Sequence, residues 1–193
     1  MVNSSIGTGK VFVFCGTSGS GRKTISKQLA RQLDLVSVVS VTTRAPRPHE
    51  IDGKDYHFMT RQAFIEADIR GEFFQTAEID NHFYGLKKED IHAALKTNAS
   101  IYVVVNRYAA TRFKYEFGER AIRLFIYVSK SVIKERLQTR GISEEIIEHY
   151  MNHYIEEVSY RKECEHIFEN VDLTHTTLAV KEAVLGYLPA KTV

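Results

Sequence analysis

The sequence predicts an α/β fold, a parallel sheet flanked by helices, and three features predict it. Val36 to Val41, Ile101 to Val105 and Ile122 to Val128 are continuous apolar runs of the kind that form strands covered on both faces. Lys10-Val-Phe-Val-Phe-Cys15 is a fourth such run; it ends at a glycine-rich turn, and Lys23 to Leu33 follows with Ile25, Leu29 and Leu33 at helical spacing. Ser131 to Arg140, Ser143 to Arg161 and Thr174 to Leu188 then read as helices, the last two opening on residues suited to an N-cap. Acidic residues behind Ser143 complement the helix dipole.

Between residues 42 and 97 the texture changes. Arg, Pro, Asp and Gly punctuate short aromatic stretches such as Tyr56-His-Phe-Met and Phe73-Phe, which predicts a small sheet inserted into the main fold. The chain of 193 residues suits one compact domain with such an insert. Its 44% hydrophobic and 26% charged residues match an ordinary soluble protein able to fold alone.

Lys and Arg number 26 against 24 acidic residues, a net charge of +2, too near balance to imply nucleic acid or an acidic membrane as a general partner, and neither is expected. Local clusters must carry any anion binding. No apolar run approaches the ~20 residues that span a bilayer, and Met1 to Ser5 is polar with no signal-peptide core. The two cysteines, Cys15 and Cys164, are far apart in sequence and are expected as buried free thiols, which points to a reducing cytoplasm. Asn98-Ala-Ser100 matches a glycosylation acceptor, a tripeptide that arises by chance and carries no meaning in a cytosolic protein.

Gly16-Thr-Ser18-Gly19-Ser20-Gly21-Arg22-Lys23-Thr24 stands between a predicted strand and a predicted helix, the context of a phosphate-binding P-loop. Glycines let the backbone N–H groups approach an anion, the helix N-terminus adds partial positive charge, and Arg22 and Lys23 neutralise phosphate. The usual motif has lysine directly after the last glycine and then a hydroxyl that binds magnesium. Here those slots hold Arg22 and Lys23, and Thr24 supplies a hydroxyl only if the loop shifts register.

A second anion site is predicted at Ser40-Val-Thr-Thr-Arg44-Ala-Pro-Arg47-Pro-His-Glu-Ile-Asp-Gly-Lys-Asp-Tyr56-His-Phe. Two arginines three residues apart in an extended, proline-punctuated loop suit a phosphate dianion through forked, charge-assisted hydrogen bonds. The order and spacing of this stretch resemble the guanylate kinase signature. The resemblance continues through Gly71-Glu-Phe-Phe-Gln75-Thr-Ala, Phe83-Tyr84-Gly85, Arg136-Leu-Gln-Thr-Arg140-Gly141 and Asn170-Val-Asp172, nearly the whole chain.

The resemblance implies a P-loop NTPase-type core sheet over residues 8–39, 97–135 and 163–193, an NMP-binding insert over 40–96 and a helical lid over 136–162. It implies that Ser40, Arg44, Arg47, Tyr56 and Tyr84 grip an acceptor phosphate, with Gln75 and Asn106 also on the substrate side. Gly16, Ser18, Gly19, Ser20, Gly21, Arg22, Lys23 and Thr24 would bind ATP. Arg22 and Lys23, with lid arginines Arg136 and Arg140, would stabilise transferred charge.

The sequence departs from that family at several of these places. Gln75 stands where the family has a glutamate for guanine's N–H groups, and Leu86 where it has a small hydroxyl residue, so guanine selectivity is expected to weaken. Val104 and Asn106 replace two aspartates, and Tyr150 aligns with a further lid arginine. The arginine loop also looks like that of guanylate-kinase modules in membrane-associated scaffold proteins, which bind phosphorylated partners.

His149 and His153, with Glu156 and Glu157 one turn on, form a conceivable metal set, but a chance pair is common among eight histidines and no metal ligands are assigned. Glu144, Glu145, Glu156 and Glu157 are expected on a solvated lid face. The leading expectation is ATP-dependent phosphorylation of GMP or a related nucleoside monophosphate, with magnesium accompanying ATP. The alternative is a module that binds a phosphorylated ligand or protein without catalysis; a third reading makes the acceptor a phosphosugar.

Overall fold

The architecture is taken from a computed structural model that describes residues 8–79, 81–97 and 99–189. Met1 to Ser5, and Asn98 of the glycosylation-like tripeptide, lie outside the described residues. In chain order the elements are β1 (Val11–Gly16), α1 (Arg22–Leu33), β2 (Val36–Ser37), β3 (Val41–Thr42), β4 (His57–Phe58), α2 (Arg61–Ile69), β5 (Phe73–Ile79) and β6 (His82–Lys87). There follow α3 (Lys88–Lys96), β7 (Ile101–Val104), α4 (Arg107–Phe117), β8 (Ala121–Tyr127), α5 (Lys130–Thr139), α6 (Glu144–Ser159), β9 (His166–Glu169) and α7 (Leu173–Leu185). The chain divides into two compact units, one of residues 36–101 with Thr8 and Gly9, the other of residues 10–35 and 102–189.

In the larger unit the strands are ordered β7-β1-β8-β9. β8 runs parallel to β1, with Val11 opposite Ala121 and Gly16 opposite Ile126, and parallel to β9. The alternate side chains Phe12 and Phe14 on β1, and Ile122, Leu124 and Ile126 on β8, pack with Ile25 and Leu29 of α1 and Val180 and Val184 of α7. Each such fully buried side chain contributes about 1.5–3 kcal/mol relative to exposure. A separate cluster of Val128, Ile133, Leu137 and Ile147 joins α5 to α6, with Tyr150 and Tyr154 against it.

A buried arginine interrupts this apolar strand. Arg123 on β8 donates to both Glu165 carboxylate oxygens and to the Glu163 carbonyl, and its ring neighbour is Tyr160. Lys114 lies 3.1 Å from the same carboxylate. Although burial pushes the Glu165 carboxyl up, hydrogen bonds from the Arg123 guanidinium and backbone and from Lys114 hold it at about 2. Desolvation opposes the charge of Arg123 too, but Glu165 and Tyr160 raise its pKa. This charged bolt ties β9 to β8, and it explains why His166–Glu169 forms a strand despite having no apolar run to announce it.

The smaller unit contains the sheet β4-β3-β6-β5, antiparallel except for β3 with β4. Phe64 of α2 stacks on Phe73 at 4.4 Å and on Phe83 at 5.2 Å, over Val41 and Ala67. Gly85 is required beneath this stack, since a Cβ there would come 2.8 Å from the Phe73 ring.

The expectation of one strand over Val36 to Val41 needs correction. The run splits into β2 and β3, and Val36 is exposed rather than covered. Val36 donates to the Ser100 carbonyl, whereas Val41 and Thr42 pair with β4 and β6. Long-range pairing decides this, and a local apolar run does not encode it. The helix expected over Ser143 to Arg161 ends at Ser159 and continues as a 3-10 turn over Tyr160–Glu163.

Candidate functional site

Two loops carry the candidate chemistry, one in each unit. The first joins β1 to α1. Gly16, Gly19 and Gly21 all have positive φ (130°, 73° and 94°), a region closed to most side chains. At Gly16 the space is closed as well, because a Cβ would lie 1.9 Å from the Ile126 carbonyl oxygen. At Gly21 it would meet the Asn170 side chain at 2.5 Å.

The frame around this glycine loop comes from distant residues. Asn170 donates to the Ser20 carbonyl at 2.7 Å, and Arg136 of α5 donates to the carbonyls of Gly19 at 3.4 Å and Asn170 at 3.1 Å. Thr17 Oγ1, Ser20 Oγ and Asn170 Oδ1 are buried, yet have no hydrogen-bond partner among the described residues. Buried polar groups are normally satisfied, so an unpaired set beside a glycine loop marks a place built for further polar contact.

Arg22 opens α1 and donates to the Val105 carbonyl at 2.8 Å, so part of its fork is spent on the end of β7. Lys23 is half-buried and Thr24 exposed in the first turn. On β7 the Val104 side chain packs against the apolar core, and Asn106 Oδ1 accepts the Ala109 N–H as the N-cap of α4. Asn106 was expected on the substrate side; its acceptor oxygen is committed to the helix. Arg140 is the exposed C-cap residue of α5, away from the contacts that Arg136 makes with the loop. Tyr150 packs into the α5–α6 cluster.

Glu157 corrects the expectation of a uniformly solvated lid face. Glu144, Glu145 and Glu156 are exposed, but Glu157 is half-buried and accepts the Ser18 N–H of the glycine loop. Burial pushes its carboxyl above the ordinary carboxylate range, against the pull of Arg22, the Ser18 N–H, Arg107 and His153. Arg107 of α4 pairs with the neighbouring Glu156 and so holds the end of α6 in place. No sequence expectation singled out Arg107, and Glu157 was expected only in a conceivable metal set or on the solvated lid face. The available signal was the arginine directly after Asn106, at the end of a strand that feeds the loop region.

The second loop lies in the smaller unit, between β3 and β4. Arg44 donates to both carboxylate oxygens of Glu50, at 3.0 and 2.9 Å, and its guanidinium lies 5.5 Å from the centre of the Tyr56 ring. Tyr84 is a further hydrogen-bond partner of Arg44, and the Tyr56 and Tyr84 rings meet at 6.0 Å. Burial lowers the Arg44 pKa, but Glu50 and Tyr84 outweigh it and the guanidinium stays charged. Glu50 also accepts the Arg47 backbone N–H at 2.9 Å, leaving the Arg47 side chain exposed. Arg44, Tyr56 and Tyr84 are therefore brought together; Arg47 shares the loop through its backbone. Glu50 was missed as a site residue, though it sits three residues after Arg47 in the same segment.

Ser40 accepts the His57 N–H through its carbonyl, one residue before β3. Gln75 on β5 is opposite Leu86 on β6, and its Nε2 donates to the Thr76 carbonyl at 2.5 Å. That bond turns the amide nitrogen toward the backbone. Leu86 is buried. The His149 and His153 rings lie 4.4 Å apart on α6, tilted at 44°, and among the described residues no group of three or more His, Cys, Asp or Glu side chains could hold a metal ion. No helix is long and apolar enough to cross a membrane among the described residues.

Known proteins match this chain through both loops. The family profile described as Guanylate kinase matches residues 8–187. A guanylate kinase of Thermotoga maritima is 36% identical over 141 residues, 71% of this chain and 67% of that protein. One of Wolinella succinogenes is 31% identical over 184 residues, 92% of this chain and 86% of that protein. The crystal structure of guanylate kinase from Anaplasma phagocytophilum superposes with a TM-score of 0.75 at 24% identity, covering 94% of this chain and 86% of that one, and shares the fold. With a match that runs through both loops and nearly end to end, the chain belongs to the guanylate kinase family.

Proposed function

We propose that this chain transfers the terminal phosphoryl group of ATP to GMP or a related nucleoside monophosphate. The observation that carries the reading is the family match over residues 8–187, which spans both the glycine loop and the arginine loop. In this reading the glycine loop is a P-loop: Gly16, Ser18, Gly19, Ser20 and Gly21 offer backbone N–H groups, and Arg22, Lys23 and Thr24 begin the helix whose N-terminus faces the phosphates. Arg44, Arg47, Tyr56 and Tyr84, with Ser40, hold the acceptor phosphate, and Gln75 lies on the base side. An oxygen of that phosphate attacks the γ-phosphorus as the bond to the β–γ bridging oxygen breaks, giving ADP and a nucleoside diphosphate.

The chain's contribution to this step is positioning and positive charge. Arg136, already against the loop at Gly19, and Arg140 would neutralise charge on the transferred group. Arg44 reaches a phosphate by exchanging Glu50 for it, a swap between two oxyanions that suits its planar fork. The Asn106 oxygen caps α4, so Asn106 meets substrate through the N–H donors of its amide nitrogen.

Guanylate kinases generally use magnesium with ATP, and the residues here fit the triphosphate better than they fit a protein-held ion. The hydroxyl slot is Lys23, β7 presents Val104 in place of a carboxylate, and the Asn106 oxygen is occupied. Magnesium would therefore arrive bound to ATP. A cytoplasmic location, where thiols stay reduced, belongs to the same reading.

ADP release from purified protein with Mg-ATP tests the proposal, against GMP, dGMP, IMP, AMP, UMP, CMP and a phosphosugar. Release that depends on a nucleoside monophosphate and is lost in Arg44→Ala is expected. Release only with the phosphosugar, or none with any acceptor, overturns it; the second outcome would leave the binding-module alternative.

A further inference from the structure

The chain contains two cysteines, separated by 149 positions, yet their sulfur atoms lie 3.8 Å apart. Cys15 is the fully buried penultimate residue of β1, directly before Gly16. Cys164 is half-buried and follows the 3-10 turn Tyr160–Glu163 that continues α6. Both are free thiols, and neither belongs to the glycine loop or the arginine loop. Among the described residues, their other hydrogen-bond contacts are long ones to carbonyls, Cys15 to Leu124 at 3.9 Å and Cys164 to Tyr160 at 3.7 Å.

We propose that Cys15 and Cys164 form a reversible intramolecular disulfide that slows nucleotide turnover, making the pair a redox-sensitive modification site. The turnover clause rests on the kinase reading above; the disulfide itself does not. A bond needs the sulfurs to close from 3.8 Å to about 2.05 Å. Cys15 cannot supply that movement, because it sits in a central strand and the next residue, Gly16, is packed against the Ile126 backbone. Cys164, half-buried on the turn at the end of α6, supplies it. That turn is tied to Arg123 through the Glu163 carbonyl and the Tyr160 hydroxyl, and upstream of it Glu157 accepts the Ser18 N–H. The disulfide fixes Cys164 to β1 and so constrains the segment that carries this contact of the glycine loop.

The chemistry is thiol–disulfide exchange with a low-molecular-weight disulfide such as oxidised glutathione. The more accessible Cys164 thiolate attacks one sulfur of that disulfide, breaking its S–S bond and releasing one small thiol. Cys15 then loses its proton and attacks Cys164 Sγ, forming the protein disulfide and releasing the second thiol. Two electrons pass from the cysteine pair to the small disulfide, and the two thiol protons end on the released thiols. Burial and the hydrogen bond with Cys164 hold the Cys15 thiol well above its usual range, which assigns the first attack to Cys164. A transient, redox-sensing bond of this kind is the form that disulfides take in a reducing compartment.

The test incubates the full chain in glutathione buffers of increasing oxidised fraction, then measures intact mass, thiols open to alkylation under denaturing conditions, and ADP release before and after dithiothreitol. A loss of about 2 Da with both thiols protected is expected, absent in Cys164→Ser and reversed by dithiothreitol with recovery of turnover. Cys15→Ala provides the second control should Cys164→Ser fold poorly. A protein that keeps two alkylatable thiols, or stops at a stable glutathione adduct, overturns the site and leaves the pair as a packing contact. A disulfide that forms without slowing turnover overturns the regulatory part. Protein that is inactive even when reduced would count against the kinase reading, while mass and thiol count would still decide the disulfide.

Discussion

The glycine loop and the arginine loop, the two proposed anion sites, are built by opposite means. The glycine loop is shaped by its backbone: three positive-φ glycines, packing against the Ile126 carbonyl, and support from Asn170 and Arg136. The arginine loop is shaped by side chains, with Arg44 forked onto Glu50 and lying against Tyr56 and Tyr84. A backbone-built cradle tolerates altered side chains, which is why Arg22 and Lys23 can stand in unusual slots without destroying the turn. A side-chain-built cradle tolerates variable backbone but depends on a few charged groups.

That contrast can be broken at its strongest point first. Gly16→Ala should cost about 4 kcal/mol or prevent folding, because the new methyl has neither room nor an allowed φ; denaturant melts measure it. Arg44→Ala should reduce kcat/KM by about 10²- to 10³-fold through lost phosphate stabilisation, with a smaller loss of stability, read from steady-state kinetics beside a melt. Equal losses in both would mean that the arginine serves the fold rather than the ligand.

Arg123 with Glu165 sharpens the comparison, being an arginine–carboxylate pair of similar geometry with no place in either loop. Glu165→Ala should cost about 3 kcal/mol in a melt by leaving a buried guanidinium without its partner, with kcat little changed in the folded fraction. Its pH dependence has a definite sign. The folded carboxyl is depressed to about 2, so its stabilisation is complete above the unfolded value near 4.3 and is lost as pH falls toward about 2. Acid melts of wild type and Glu165→Gln should differ above that window and converge below it. The smallest effect is expected at Asn106→Ala, about 1 kcal/mol from loss of the α4 cap. A large loss of turnover there, with stability unchanged, would return Asn106 to the substrate.

Much of the fold could be read locally. Apolar runs marked β1, β7 and β8, and Ser143 marked the start of α6, whereas the caps of α5 and α7 are Ser129 and Asp172 rather than Ser131 and Thr174, where the sequence reading begins those helices. The run at Val36 to Val41 misled because its two ends pair with different partners. β9 was silent because an ion pair, not an apolar run, fastens it. In the site, glycine and arginine spacing exposed both loops, but Glu50, Arg107 and Glu157 were not distinguishable from surface charge. Their significance lies in what they touch.

The sequence by itself determined β1, β7 and β8, the helices α1, α5, α6 and α7 to within a few residues, the glycine loop, and the kinship carried by the two loops, since periodicity, turn chemistry and motif spacing are all local properties. Only the tertiary structure decided that Arg44 is held by Glu50, that Asn106 is spent on a helix cap, that Glu157 reaches the Ser18 N–H, and that the two cysteines touch. Those are relations between residues brought together by burial of the apolar core, and no spacing along the chain specifies them.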